Sequence, residues 1–171
     1  MGELKFNTPA GNTVARKLLI LYMNTATYES PTWAAIGKRV EESSMEYDWS
    51  KETTSDILGS NYTQYKTPVI TQTFDPCHLD ASDTAQQKIW NQSIKEQNIG
   101  AMANNDLLVV HAYAGTEDTA VFAERYPASA IEPTSLGGSA TIGMPIEVTF
   151  GGKREIGTAS VSDGTVTFTK D

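Results

Sequence analysis

The sequence is poor in three features, and each shortage excludes a class of protein. It has a single cysteine, Cys77, in 171 residues, so no intramolecular disulfide can form. No apolar run approaches the ~20 residues that a membrane-spanning helix needs. Only 13 basic residues stand against 21 acidic ones, and the resulting net charge of -8 argues against a protein that wraps nucleic acid. These shortages favour a disulfide-free protein that is made in the cytoplasm and does not bind a membrane. The glycine-rich stretches at 137–139 and 151–154 do not match a phosphate-binding loop, so no cofactor is expected either.

The length predicts one domain, residues 1–171, with two segments that stand apart from it. Residues 1–13 are polar and contain Pro9 and Gly11, which predicts an N-terminal arm rather than a secretory signal. Residues 51 to about 66 are polar and rich in threonine, which predicts a long inter-strand loop or an extended hairpin tip. A compact domain rarely keeps so long a connection without a role, so this segment is a candidate contact region.

The last third of the chain predicts a β-meander. Apolar residues occupy alternate positions from Ile142 to Phe150, the period of a half-buried strand. Asp163-Gly164 is a strong hairpin signal. A two-residue turn at that position predicts four cross-strand pairs, Ser162–Thr165, Val161–Val166, Ser160–Thr167 and Ala159–Phe168.

The rest of the chain predicts further strands and one helix. Strand patterns cover residues 14–23, 33–40, 45–49, 69–74 and 107–113, with a broken strand at 125–131 and an ambiguous stretch at 115–124. The helix is expected over 84–97, capped by Asp83 and completed as a capping box by Gln86. Its apolar stripe is Ala85, Ile89, Trp90 and Ile94. The predicted fold is therefore mainly β, a β-sandwich or small barrel with one packed α-helix.

Two groups of residues deserve comparison with catalytic or metal sites. The stretch Asp75-Pro-Cys-His-Leu-Asp80 has a neighbouring Cys-His pair rather than the spacing of a structural zinc site, so a turn and a helix cap are expected instead. Cys77 and His111 would make a nucleophile pair only with an orienting acid and an oxyanion motif, which the sequence does not pair with them. We therefore expect no metal site and no enzyme, and we expect His111 to be structural.

The strand at 45–49 separates aromatic from acidic residues. Tyr47 and Trp49 alternate with Glu46 and Asp48, so aromatics packed inward would place both acids outward. Trp33, Trp49 and Trp90 each lie on the apolar face of their own element, which favours core packing over a sugar-binding platform.

Three stretches together resemble the major tail proteins that build phage tail tubes. They are the C-terminal meander Gly138–Thr169, the opening strand Lys17-Leu-Leu-Ile-Leu-Tyr-Met-Asn24, and Pro31-Thr-Trp-Ala-Ala-Ile-Gly37. Members of that family form rings, usually of six, that stack into a hollow tube through which DNA passes during ejection.

The resemblance implies a structural subunit in the tail of a virion, made in the host bacterial cytoplasm. Its partners would be other copies of the chain and the tape measure, tail tip and tail terminator proteins, with double-stranded DNA passing transiently and not bound. Glu46 and Asp48 become candidate lumen acids, and the loop becomes a candidate inter-ring contact through Thr53, Asp56, Asn61 and Tyr62.

Two alternatives stay open. One is the tube protein of a contractile tail or of a type VI-like secretion system. The other belongs to a different class, a carbohydrate-binding β-sandwich that uses the tryptophans; it predicts exposed indoles and a monomer.

Overall fold

The computed structural model describes residues 2–116 and 119–171, and these residues form eleven strands. They are β1 (Leu19–Asn24), β2 (Trp33–Ile36), β3 (Met45–Asp48), β4 (Glu52–Ser55), β5 (Asn61–Gln64), β6 (Val69–Phe74), β7 (Asn105–Thr116), β8 (Ala120–Pro133), β9 (Ile146–Thr149), β10 (Glu155–Ser162) and β11 (Thr165–Lys170). Helical segments are α1 (Thr84–Trp90), which continues as a π-helical turn over Asn91–Lys95, and α2 (Ile99–Met102). Of the stretch predicted as ambiguous and then broken, residues 120–131 belong to the single long strand β8, residues 115–116 end β7, and residues 117–118 lie outside the described part of the chain.

Nine of these strands form one antiparallel sheet with two halves that share β8. In the first half, β8 pairs with β7 and with β10 between Val121 and Arg125, giving the order β2-β1-β7-β8-β10-β11. In the second half, Ala130–Pro133 of the same strand pairs with β9, giving the order β8-β9-β6-β3. Strands β4 and β5 pair only with each other as a separate hairpin.

The C-terminal hairpin has the predicted register. Ser162 lies opposite Thr165, and Ala159 lies opposite Phe168. Asp163 and Gly164 both adopt positive φ, 48° and 76°, as a two-residue turn of the hairpin type requires. The turn residues and the alternation of apolar and polar residues along both strands therefore specify the same register, and the predicted pairing is confirmed.

Apolar side chains from both halves of the sheet and from α1 share one core. Its buried members include Met23, Leu107 and Ile146, with Ile89 from the helix. A second buried cluster around Leu108 and Val110 lies on the opposite face of the first half, so that half is buried on both sides. The mainly β fold with a packed helix is confirmed.

The helix begins at its predicted cap but differs from the prediction in length and in the capping box. Helix α1 ends at Trp90 and the π-helical turn at Lys95, short of the predicted end at residue 97. Asp83 accepts a hydrogen bond from the Gln86 backbone N–H at 3.0 Å, as expected of an N-cap. The predicted capping box is wrong, because the Gln86 side chain bonds the backbone of Asp80 and His78 instead. The apolar stripe is also narrower than predicted, because Trp90 is 36% exposed.

Two segments outside the core have defined backbone contacts. The backbone N–H of Asn7 donates to the carbonyl of Tyr113 at 2.8 Å, so part of the N-terminal arm lies along the end of β7. The stretch predicted as a long loop is the β4–β5 hairpin, which continues beyond the paired strands β3 and β6. Its order comes from cross-strand pairing of polar residues that are exposed on both strands.

Candidate functional site

The second half of the sheet turns one side towards the core and the other towards solvent. Register places Met45, Gln72, Val148 and Ile131 on the inner side. The outer side carries the residues that alternate with them. It includes four acidic residues, which we call the acidic face: Glu46 and Asp48 on β3, Glu147 on β9 and Glu132 on β8.

No basic residue lies among the strand residues that form the acidic face. The four segments read MEYD, VITQTF, IEVT and AIEP, without lysine or arginine. The only other polar side chains on that side are threonines such as Thr71 and Thr149. None of the four acids takes part in a salt bridge within the described residues. The face therefore presents uncompensated negative charge to whatever lies in front of it.

Glu132 and Glu147 are direct cross-strand partners. Like charges placed opposite each other in a sheet are destabilising, by a fraction of a kcal/mol up to about 1 kcal/mol. This pair therefore lowers the stability of the folded chain, so the charge does not serve folding. The sequence analysis did not identify either residue as part of a site. For Glu147, the sequence did offer a sign, because this acid lies between the apolar residues of β9 and must therefore face the other side of the sheet.

Glu46 and Asp48, the two predicted lumen acids, are both exposed. The prediction assumed that the aromatic residues that alternate with them are buried, and this assumption is wrong. Tyr47 and Trp49 were expected to pack inside the subunit, yet they are 42% and 49% exposed. They stack on each other, with ring centroids 5.9 Å apart. Strand β3 is an edge strand that pairs only with β6 among the described strands, so its inward side chains have no neighbour on one flank. Only Met45 reaches the core.

The four loop residues predicted as contacts all lie in the exposed β4–β5 hairpin. Thr53 faces Thr63, and their hydroxyl oxygens are 3.0 Å apart. Asn61 accepts a hydrogen bond from Ser55. At the turn, the Asp56 carboxylate accepts hydrogen bonds from the backbone N–H of Leu58 and Ser60 and from the Tyr62 hydroxyl, each at 2.9 Å. The turn therefore presents Ile57 and Leu58 to solvent, at 102% and 87% exposure.

The geometry of this turn should depend on pH. The hydrogen bond from Ser60, and then that from Tyr62, hold the pKa of Asp56 below its ordinary value of 3.8. A lowered folded-state pKa stabilises the turn above that value, and the contribution is lost as pH falls through the lower pKa. We expect the Leu58 and Ser60 amide signals to shift in NMR titrations below about pH 4. An Asp56→Asn variant should show no such titration; a midpoint at or above 3.8 would contradict the assignment.

Cys77 and His111 do not form a pair. Cys77 is buried beside α1, where Gln86 Nε2 lies 3.4 Å from its Sγ, and burial raises the pKa of the thiol. A raised thiol pKa is opposite to what an activated nucleophile needs. Both ring nitrogens of His111 have other partners, the Tyr113 hydroxyl at 2.9 Å and the Glu124 carboxylate at 3.4 Å.

Glu124 is a buried carboxylate at the centre of a polar cluster. It accepts hydrogen bonds from Arg154 and Tyr126 as well as facing His111. Burial alone would raise the pKa of Glu124, but the bonds from His111 and Arg154 outweigh it and hold that pKa below its usual range. Every partner is a side chain of the same domain, so the cluster fixes the packing of β7 against β8.

Two of the three tryptophans are more exposed than predicted. Trp49 and Trp90 are exposed, and Trp33 is partly buried against the second apolar cluster. The three indoles lie on separate elements, and no two of their rings contact each other among the described residues. Within the same residues, no group of three or more potential ligands could hold a metal ion. No helix there is long and apolar enough to cross a membrane.

Comparison with known proteins identifies the fold but no family. No family model matches the chain, and no curated protein matches it. Among solved structures, a chain of the PVC sheath-tube complex, an extracellular contractile injection system in the extended state, aligns with a TM-score of 0.50 and 11% identity. The alignment covers 86% of this chain and 93% of that chain. The anti-feeding prophage tube-terminating cap aligns over 90% of this chain and 96% of that chain, with a TM-score of 0.45 and 12% identity.

Proposed function

We propose that this chain is a structural subunit of a phage tail tube, forming stacked hexameric rings whose hollow lumen conducts DNA during ejection. The observation that carries the proposal is the acidic face, which lies on a half-sheet with free edges in a fold shared with a chain of a sheath-tube complex. The role is assembly rather than catalysis. Other copies, the tape measure, the tail tip and the tail terminator would be its partners.

Lateral contacts would form through the two free edges of the second half of the sheet. On one side β3 pairs only with β6 among the described strands, and on the other β7 pairing stops at Ser129, before Ala130–Pro133. Four antiparallel strands give edges that run in opposite directions. A rotated neighbour would therefore place its β3 antiparallel to the β8 edge of the first copy, and the alternation would continue around the ring.

A groove lies next to the segment that leads into β3, on the side of one of these edges. It has a volume of about 680 Å³ and runs between β2 and residues 37–43. Gln72 Oε1 and Trp33 Nε1 belong to residues that line it, and both atoms are buried without a hydrogen-bond partner in the described part of the chain. Buried polar atoms without partners are uncommon in folded proteins. Both atoms are buried within the chain itself, so a neighbouring copy that covers the groove would reach them only if the side chains around them move.

The acidic face would line the lumen. DNA carries a dense row of phosphates, so a wall of carboxylates would repel it at every ring and prevent tight binding. Four acids per subunit, repeated around a ring, would give a smooth electronegative channel. An acidic lumen allows DNA to move without being held.

Reversing this charge should convert a repelling channel into a binding one. We expect tubes of a variant with four lysines to retain double-stranded DNA, in a manner that weakens steeply with added salt, whereas wild-type tubes should retain none. The measurement is DNA co-sedimentation with tubes between low and physiological salt. The substituted residues are Glu46, Asp48, Glu132 and Glu147.

A matched control carries the same change in net charge away from the acidic face. It places lysine at four exposed acidic positions elsewhere: Glu3, Glu29, Glu96 and Asp171. This control should bind DNA no more than weakly. Equal retention by the two variants, or a tube structure with the acidic face on its outside, would refute the lumen assignment.

Assembly itself is tested by light scattering and negative-stain microscopy of the purified protein, with and without a tail-tip complex. Rings or filaments are expected. A protein that stays monomeric under both conditions would end the proposal and favour the carbohydrate-binding alternative.

The structural match also favours the first alternative, the tube of a contractile tail, because the matched chain belongs to a contractile system. A contractile tail requires a sheath around the tube. Binding of a purified sheath protein to assembled tubes would support that alternative over the non-contractile type.

A further inference from the structure

Two adjacent aliphatic side chains stand at the most exposed point of the hairpin. Ile57 and Leu58, which we call the tip, are exposed at 102% and 87%. The hydrogen bonds recorded for residues 52–64 all lie within the hairpin, so the body of the domain does not hold the tip in place. The arms are polar, with Thr53 and Thr63 facing each other. An apolar pair on a polar projection is typical of a contact that another molecule completes.

An apolar depression lies elsewhere on the same domain. It has a volume of about 660 Å³, within the range of about 300–1,000 Å³ typical of pockets that hold drug-sized ligands. Its apolar lining comes from Leu79, Ala81, Trp90 and Ile142. Trp90 and Ile142 are themselves exposed, at 36% and 55%. We call these four residues the depression.

The tip and the depression lie at opposite ends of the second half of the sheet. Register places Asp48 opposite Val69 at one end, and the hairpin continues from there. At the other end, Phe74 lies opposite Ile146, and beyond it the Leu79 backbone N–H donates to the Ile142 carbonyl at 2.9 Å. The tip therefore extends from one end of the strands while the depression lies past the other end.

This arrangement excludes contact within one subunit and suits contact between two. A surface at one end that complements a surface at the other end joins copies head to tail, and such contacts continue as an open filament unless they close into a ring. Charge does not oppose the contact. The hairpin from Glu52 to Tyr65 has two acids and no base, and Asp80, the charged residue among those that line the depression, is paired with Lys38 and Arg39.

We propose that the tip of one copy inserts into the depression of the next copy along the stack. The inference rests on the proposed function and deepens it, since it names the surface that receives the hairpin. The contact would bury the two aliphatic side chains of one ring against Trp90 and Ile142 of the adjacent ring.

Cysteine cross-linking tests the contact directly. Leu58→Cys and Ile142→Cys are made as separate variants, each at an exposed position, and then mixed under mild oxidation. A disulfide-linked dimer of the two variants is expected, and it should be at least tenfold more abundant than with the control Val69→Cys in place of Ile142→Cys. Val69 is equally exposed but lies at the hairpin end of the sheet. The native Cys77 is buried and stays in all variants.

A second measurement uses assembly. Leu58→Ser and Trp90→Ala should each raise the protein concentration needed for tubes by at least tenfold, whereas Thr54→Ser in the hairpin arm should not change it.

The results of these experiments distinguish the docking contact from the tube function. Normal wild-type tubes with no link between positions 58 and 142 would overturn the docking inference and leave the tube function standing. The link without tubes under any condition would support docking and overturn the tube function. Neither link nor tubes would overturn both.

Discussion

Replacing residues 53–64 with an Asn-Gly turn should leave a folded domain that no longer stacks into tubes. Among the described residues, residues 53–64 form no hydrogen bond with the body of the domain, so their loss should change the melting temperature by no more than a few degrees. Stacking should be abolished, because the variant lacks the whole projection that we propose to join rings. Circular dichroism would check the fold, and negative-stain microscopy would check the assembly.

Ordering the hairpin against a neighbour costs backbone entropy, roughly 1–2 kcal/mol for each residue that becomes fixed. Pairing of β4 with β5 already restricts much of this backbone, which reduces the cost of docking. The variant Thr54→Ser, which keeps both the length of the hairpin and its tip, serves as the control and should form normal tubes. Normal tubes from the 53–64 replacement would show that the hairpin has no assembly role.

The largest loss of stability is expected from Asp106→Ala. Arg125 donates to the Asp106 carboxylate through Nε at 2.9 Å and through a terminal nitrogen at 2.6 Å, and the side chains are only 9% and 12% exposed. Removing the carboxylate leaves a buried guanidinium without its counter-ion, which typically costs about 3–5 kcal/mol. For a domain of this size the melting temperature should fall by roughly 10 °C.

Two further variants test whether the loss comes from an unpaired buried charge. One breaks an exposed ion pair, and the other removes both charges of the buried pair. Lys38→Ala breaks a pair with Asp80 whose lysine is 52% exposed, and it should cost no more than about 1 kcal/mol. The double variant Asp106→Leu/Arg125→Met removes both charges and should be less destabilised than Asp106→Ala alone. Thermal and urea unfolding would measure all three. A loss below about 1 kcal/mol for Asp106→Ala would mean that water or Tyr28, whose carbonyl also accepts from Arg125, compensates the charge.

Local chemistry made some elements predictable. Asp163-Gly164 sets its own register, because the turn requires two positive φ values and leaves one way to pair the strands. Asp83 caps α1 for a similarly local reason. The Gln86 side chain departed from prediction because tertiary neighbours, the backbone of Asp80 and His78, offered it partners that the sequence pattern does not reveal.

The candidate site was less predictable because it depends on which strands become neighbours. Glu46 and Asp48 were found from alternation along one strand. Glu132 and Glu147 joined them only through the pairing of β8 with β9, which are separated by more than ten residues of loop. The aromatic side of β3 was misjudged because alternation indicates which side a residue faces, whereas burial depends on whether the strand lies at an edge.

Strand β8 has a mechanical consequence. Its 14 residues belong to both halves of the sheet, so a covalent backbone, rather than a row of hydrogen bonds, joins the inner wall of the proposed tube to the outer part of the subunit. A force that pulls the inner wall away from the outer part of the same chain would load this backbone as well as the packing between the two halves. The two halves should therefore separate less readily than two sheets held together only by side chains.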